Sequence, residues 1–537
     1  MNTNRHRFFD SRTGRRRFLL LSVCICAHLW LISSCSTQAT DVRAVVPGDA
    51  LVYLETQDLG KALHAMTDND AFRAATKSQP DFSVLNGIKV GVAVTGFETK
   101  DVPAADGASE LNIQPRFVAV AETNAWNYQA IKFAENKLGE FVNDIYGGGV
   151  ELERFPRFDG DYFIWTADDG RKAYGLVIGS VIFFGNDETA IEKCVAVRKG
   201  ETESIAMSGK LPGGDYLASG YVGPDGVAQI ANIGSIQLAV GAGEEEDVRG
   251  FIARVLPEVV RNSVKEATWT ARKTEQGIED AYTFTTDPEI AKVLEQSIKP
   301  GSGDGVAGLE HLPAETVSAT VYNLADPQVA WRSVLLTAQQ RAGGIAGELI
   351  GAVGDSLFEP YGIDNAEAFL GSVDGKLVSV RFDPEGEDVV VIATPKDLEK
   401  LKASLAKEFK LTGPREKIGN GEVWRSDEGE LAFAVFGQRV LLGHTESVIK
   451  CLNTGSQASS MVDPLNSAGS VAAFSIASDV DPNAALITVL AQPNDEKKPL
   501  VQSYRISTWF TSKGVMRTEI SSFGLIGSVI KQFAREQ

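Results

Sequence analysis

One pattern occurs twice in this chain, and it constrains the fold more than any single motif. Trp165-Thr166-Ala167-Asp168-Asp169-Gly170 runs on to Gly179, Gly185 and Lys193-Cys194. Trp424-Arg425-Ser426-Asp427-Glu428-Gly429 runs on to Gly437, Gly443 and Lys450-Cys451. The separation of matched positions falls from 266 residues at Pro47 and Pro313 to 237 at Gly277 and Gly514, so the second copy has the shorter loops. A repeat this long exceeds a solenoid unit and predicts tandem domain duplication. Whatever the repeated positions do, they do twice.

The duplication extends to the order of elements. Leu51 to Glu55 and Val317 to Tyr322 read as strands. Helices follow around Leu59 to Met66 and Gln328 to Arg341. Phe117 to Ala121 and Val389 to Ala393 are apolar runs that read as buried strands. Amphipathic helices follow, over Trp126 to Val142 and Lys396 to Phe409. A three-strand meander comes next. It covers Tyr162–Thr166, Ala173–Ile178 and Val181–Phe184 in the first copy, and Glu422–Ser426, Leu431–Phe436 and Val440–Leu442 in the second. Asp168-Asp169-Gly170 and Asp427-Glu428-Gly429 sit where hairpins need a positive φ. Late strands at Trp269–Thr274 and Tyr504–Thr511 lead to final helices, Pro288–Ile298 and Leu525–Phe533. This order predicts an α+β fold: two tandem homologous domains, antiparallel sheets, helices on one face.

The N-terminus reads as an export signal. Six arginines, diluted by Asp10, precede the apolar run Phe18 to Ile32, which is shorter than the roughly 20 residues a bilayer span needs. Ile32-Ser33-Ser34-Cys35 resembles a bacterial lipobox, which implies that Cys35 is acylated and becomes the first residue of the mature chain. Ordinary cleavage beside an incidental cysteine is the competing reading. Arg15-Arg16-Arg17-Phe18-Leu19 resembles the twin-arginine consensus, with general secretion as the alternative. The expected organisation is signal peptide 1–34, lipidated tether 35–44, first copy 45–299, linker 300–307 and second copy 308–537.

The whole chain carries a net charge of −19, and without the leader −24. Such a surface repels nucleic acid and anionic headgroups, so no nucleic-acid partner is expected, and attachment to a membrane falls to the acyl chains of Cys35. Beyond the leader and Cys35, the cysteines are Cys194 and Cys451, too few for a disulfide framework.

The chain offers little catalytic chemistry. His64, His311 and His444 lack His or Cys partners at metal-ligand spacing, and no cofactor or metal is expected. Nucleophile-elbow, phosphate-loop and zinc-protease motifs are absent from the sequence. Asp68-Asn69-Asp70 starts like a calcium loop but lacks its Gly and distal Glu. Glu244 to Asp247 is an acidic run suited to a solvated loop. Asp168-Asp169 and Asp427-Glu428 are the best polar candidates, since paired carboxylates can share acid–base work if buried, but turn chemistry explains them better. Trp165 and Trp424 suit either ligand stacking or core packing. Cys194 and Cys451 each follow a Lys that could lower a thiol pKa, although a small buried hydrophobe is the simpler role. Gly343, Gly347, Gly351 and Gly354 form a small-residue stripe suited to close packing.

Leu312-Pro313-Ala314-Glu315-Thr316, Tyr361-Gly362-Ile363-Asp364 before Phe369-Leu370-Gly371, and the glycine-bounded strand before the Cys helix resemble a family of uncharacterised bacterial exported proteins. Their repeats open Leu-Pro-Ala-[Asp/Glu]-[Thr/Ala], and many are expected to be lipoproteins. The first copy departs from the pattern, opening Val46-Pro47-Gly48-Asp49-Ala50. The resemblance implies an exported compartment and this architecture, and it brings no catalytic residues. The expected function is a non-catalytic lipoprotein of the cell envelope, on the outer or cytoplasmic membrane, that binds or scaffolds an envelope protein. A carrier or sensor of an apolar ligand and an unrecognised hydrolase are the alternatives.

Overall fold

Strand runs that are apolar at every position need cover on both faces. Phe117 to Ala121 and Val389 to Ala393 are such runs, and they lie at the centre of the architecture. A computed structural model describes residues 40–76, 82–103, 109–240, 255, 257–302, 306–383, 388–405, 409, 411, 415–454, 458–466, 471–478 and 502–533.

Among the described residues, the first half contributes ten strands: β1 Val52–Thr56, β2 Lys89–Pro103, β3 Ser109–Glu122, β4 Glu151–Arg157, β5 Gly160–Thr166, β6 Lys172–Ile178, β7 Val181–Gly185, β8 Ala218–Val222, β9 Val264–Thr274 and β10 Gly277–Thr286. The second contributes β11 Ser318–Asn323, β12 Val373–Arg381, β13 Val389–Pro395, β14 Glu416–Ile418, β15 Gly421–Arg425, β16 Leu431–Phe436, β17 Arg439–His444, β18 Ala473–Ala477, β19 Tyr504–Thr511 and β20 Gly514–Ser521. The helices of the first half are α1 Leu59–Thr67, α2 Asp70–Thr76, α3 Asn127–Phe133, α4 Gly139–Tyr146, α5 Glu188–Arg198, α6 Pro224–Val240 and α7 Pro288–Ser297. Those of the second are α8 Pro327–Ala342, α9 Gly344–Ser356, α10 Ala366–Ser372, α11 Leu398–Ala403, α12 Thr445–Leu452, α13 Val462–Asn466 and α14 Gly524–Phe533. The fold is α+β.

Pairing follows one plan in both halves. The first half runs β4-β5-β6-β7-β3-β2-β1-β8-β9-β10, antiparallel throughout. The second runs β14-β15-β16-β17-β13-β12-β11-β18-β19-β20, again antiparallel. The expectation of separate sheets is corrected here: β10 pairs with β20, from Ile278↔Ser521 to Thr285↔Gly514, and the twenty strands among the described residues form one sheet. By the spacing of the turn glycines Gly277 and Gly514, Ala281 and Thr518 occupy matched positions, and they pair with each other. The seam therefore has a local twofold at that pair. Its physical reason is edge protection, because an open β10 or β20 would present a row of unpaired backbone groups. The outer edges are blunted instead by charge and proline, with Glu151, Glu153, Arg154, Pro156 and Arg157 on β4 and Glu416 and Lys417 on β14.

Helices cover both faces, which corrects the expectation of one. On β3, Phe117, Ala119 and Ala121 pack with Leu63, Phe133, Leu138 and Val142. The intervening Val118 and Val120 pack with Ala190, Ile191, Cys194 and Val195 of α5. In the second half, Val390 and Ile392 join Val448 and Cys451, while Val391 and Ala393 join Phe369 and Leu401. Gly185 and Gly443 close β7 and β17 where the neighbouring strand comes near. A Cβ there would lie 2.2 Å from Phe117 O and 2.0 Å from Val389 O.

The final helices are exchanged across the seam. α7, which ends the first half, brings Leu294 and Ile298 against Ala330 of α8 and Phe510 of β19. α14, which ends the second, brings Leu525 and Val529 against Met66, and Ile530 into the core with Leu63. Phe523, just before α14, meets Phe72 edge to face at 5.6 Å.

Asp280 on β10 fixes the start of α14. Its carboxylate is 1 % exposed and accepts the Trp269 indole N–H at 2.9 Å and the Leu525 N–H at 2.8 Å. Burial raises its pKa from 3.8 to about 7 despite those two bonds, and nearby Glu519 and Glu279 push the same way. The folded chain therefore holds a proton that the unfolded chain releases at lower pH. Its contribution to stability is fully present below 3.8, is lost as pH rises towards 7, and is level above. Urea unfolding across that interval should show wild type losing stability relative to Asp280→Asn. A pH-independent difference between the two would contradict the assignment.

Candidate functional site

The repeated Trp–acid–Gly corners are the strongest polar candidates in the sequence. Both tryptophans are core residues. Trp165 is 1 % exposed, stacks on Phe163 at 5.6 Å and meets Phe184 edge to face. Trp424 is buried and stacks on Phe433 at 5.4 Å. The acids that follow are exposed on hairpin tips. Gly170 N–H closes its turn on Ala167 O at φ +84°, and Gly429 N–H closes its own on Ser426 O at φ +80°. Asp169 is engaged by Arg171 at 2.6 Å. These carboxylates lie exposed at the two turns rather than together in a pocket, so they are placed as turn residues.

The Lys-Cys pairs are also divided between separate environments. Cys194 and Cys451 are free, buried, and packed in different cores. Burial raises both thiol pKa values, that of Cys451 to about 12. The neighbouring lysines are directed elsewhere: Lys193 pairs with Asp49 at 2.8 Å, and Lys450 lies over the Phe382 ring at 5.4 Å. Neither thiol has the thiolate character that nucleophilic work demands.

The three histidines do not converge. His64 pairs with Asp68 on α1 at 3.3 Å. His311 is buried, with Nδ1 3.3 Å from Cys451 O and its ring edge-on to Phe436. His444 lies near Asp388, with Nδ1 3.7 Å from Oδ1, and Ser447 Oγ donates to that same oxygen. Ser, His and Asp thus meet in one place. Their order is wrong for a nucleophile, because the serine proton goes to the carboxylate and Ser447 is fully buried in α12. Asn69 caps α2, and Arg73 bridges Asp68 and Asp70, so the calcium-like stretch serves as a helix start. Among the described residues, no group of three His, Cys, Asp or Glu could hold a metal ion. Gly347 and Gly354 let α9 lie against Gln339 and Leu335 of α8. Glu244 to Asp247, the linker centre 303–305 and Cys35 lie outside the described residues.

The best-built polar cluster was not anticipated. Residues 41–44, expected within the tether, instead enter the body: Val42–Val45 form a 3-10 turn whose valines are buried. Glu55, 5 % exposed, receives Arg43 through Nε at 2.7 Å and through Nη2, the Tyr53 hydroxyl at 3.0 Å and Ser219 Oγ at 3.1 Å. These donors use the acceptor capacity of the carboxylate, leaving it a clamp. The hydrogen bond to Glu55 raises the Arg43 pKa, and burial raises that of Tyr53. Glu122, wholly buried at the end of β3, accepts Thr40 N–H and Asn124 N–H, each at 2.9 Å. A signal was present in the sequence: both acids sit in otherwise apolar strand runs, where only a satisfied carboxylate fits.

A shallow apolar cleft between α4 and the sheet, lined by Phe117, Phe141, Val142, Ile145, Tyr146 and Phe184 among others, has room for a single water molecule, about 10 Å³. Among the described residues, no helix is long and apolar enough to cross a membrane.

No protein-family model matches this chain, and no curated protein matches it. Among solved structures, crystal form I of TP0453 is 8 % identical with a TM-score of 0.22, covering 46 % of this chain and 79 % of that one. Crystal form III of TP0453 is 12 % identical with a TM-score of 0.24, covering 50 % and 91 %. At such TM-scores the likeness carries no argument.

Because both body cysteines are buried and protonated, a bulky thiol reagent should label Cys194 and Cys451 only as fast as the protein unfolds. Labelling in native buffer at the rate of a free thiol would contradict their placement.

Proposed function

We propose that this protein is a lipid-anchored envelope protein of binding or scaffolding role, built by tandem duplication of one α+β unit. Cys35 is its acylated first residue. The supporting observation is the docking of the chain shortly after the lipobox: Thr40 and Arg43, five and eight residues past Cys35, are bound by Glu122 and Glu55. An anchor at Cys35 would hold such a body close to the bilayer. The repeated glycines, tryptophans and Lys-Cys pairs support the duplication. They serve packing and turns in both halves, so the repeated unit is a framework and its function lies on the surfaces it presents.

The anchoring reading is tested in cells supplied with labelled palmitate. Wild type should take up label and sediment with membranes, and Cys35→Ser should do neither. A Cys35→Ser protein that still carries label or stays with membranes would refute the assignment.

A further inference from the structure

A lipid anchor fixes more than a compartment if the tether is short, because it also selects the face turned to the bilayer. Thr40 is docked on the folded body, its N–H bound to Glu122 Oε2 at 2.9 Å. Four residues lie between Cys35 and Thr40, and the five steps from one to the other span at most about 18 Å when fully extended. The surface around Thr40 is therefore held against whatever holds Cys35.

That surface is the loop after β3 and the start of α3. The loop is braced from several sides. The other oxygen of Glu122 accepts Asn124 N–H at 2.9 Å, Asn124 Nδ2 donates to Gly87 O at 3.3 Å, and Thr123 Oγ1 donates to Ser180 O at 2.7 Å. Asn124 itself is held at φ +52°. The braced loop presents two aromatic rings to solvent, with Trp126 53 % and Tyr128 59 % exposed. In a mature chain of net charge −24, the stretch from Thr123 to Ala134 holds no Asp or Glu, and its one charged residue is Lys132.

Each of these features suits one occupant. Trp and Tyr settle at the headgroup level of a bilayer, where an apolar ring with a polar edge meets both phases. The stretch from Thr123 to Ala134 adds no carboxylate to this face, where Asp41 beside Thr40 is an exposed acid, so it avoids the repulsion that most of the chain would meet at anionic headgroups. Val334, Leu336 and Leu357, around α8 and α9, are also exposed, but no chain end fixes what lies beside them.

We infer that the face formed by Trp126 and Tyr128 beside Thr40 rests in the headgroup layer of the membrane that carries the Cys35 acyl chains. The inference depends on Cys35 as the anchor, and its test separates the two. The lipidated protein is reconstituted in phosphatidylcholine vesicles, with and without lipids brominated near the headgroup end of their chains. Flotation reports anchoring, and quenching of tryptophan emission reports contact. Wild type should float and be quenched; Trp126→Phe, a change at an exposed position, should float equally with its quenching reduced by more than half. Flotation with equal quenching in both proteins, or with none in either, would overturn the membrane-facing assignment and leave the anchor standing. Failure of the lipidated wild type to float would overturn the anchor and this inference with it.

Discussion

The antiparallel pairing of β10 with β20 is the interaction on which the rest of the structure depends. Each half ends in a hairpin whose last strand is an edge, and an edge strand is a hazard unless it is covered. Here each edge is the other's cover. The local twofold at Ala281 and Thr518 makes the solution reciprocal, and the exchange of α7 and α14 follows from it. A helix that leaves a seam strand lies nearest the opposite half, so Phe523 and Ile530 complete the core around Leu63 and Phe72. The two halves follow the same strand order, and their hydrophobic cores are shared.

The local plan was legible in the sequence because it rests on short-range chemistry. Gly170 and Gly429 marked their turns, and the strands at Leu431–Phe436 and Tyr504–Thr511 fall on the expected residues. Edge strands were harder to read. β4, Glu-Leu-Glu-Arg-Phe-Pro-Arg, has no apolar alternation because an outer edge has little to bury, so the expected three-strand meander has a fourth member. The helix expected over Lys396 to Phe409 is α11, ending at Ala403. Ser404 Oγ turns back to Leu401 O, and Ser404 O accepts the N–H groups of Asp364 and Asn365. The seam could not be read at all, since nothing within one repeat says which edge meets which. Cover on both sheet faces was readable in principle from the all-apolar runs, which leave no solvent side.

The site reading shifted for a related reason. Aromatic and acidic residues repeated in sequence attract attention as a site, but repetition here preserves geometry: stacked rings under the sheet, a glycine turn, a buried thiol. Glu55 and Glu122, the acids that hold the N-terminal segment, belong to the first half. The halves thus differ where that segment docks. That asymmetry gives the proposed anchor a defined face of the molecule.

The central claim is that the seam makes the two halves one body, and hydrogen exchange of the backbone amides in β10 and β20 tests it most directly. Amides between Ile278 and Thr285, and between Val515 and Ser521, that bond across the seam should exchange only through global unfolding, as slowly as those of β3 and β13 inside each half. Exchange at the seam well before that of β3 and β13 would mean that the halves part while each stays folded, and would contradict the account.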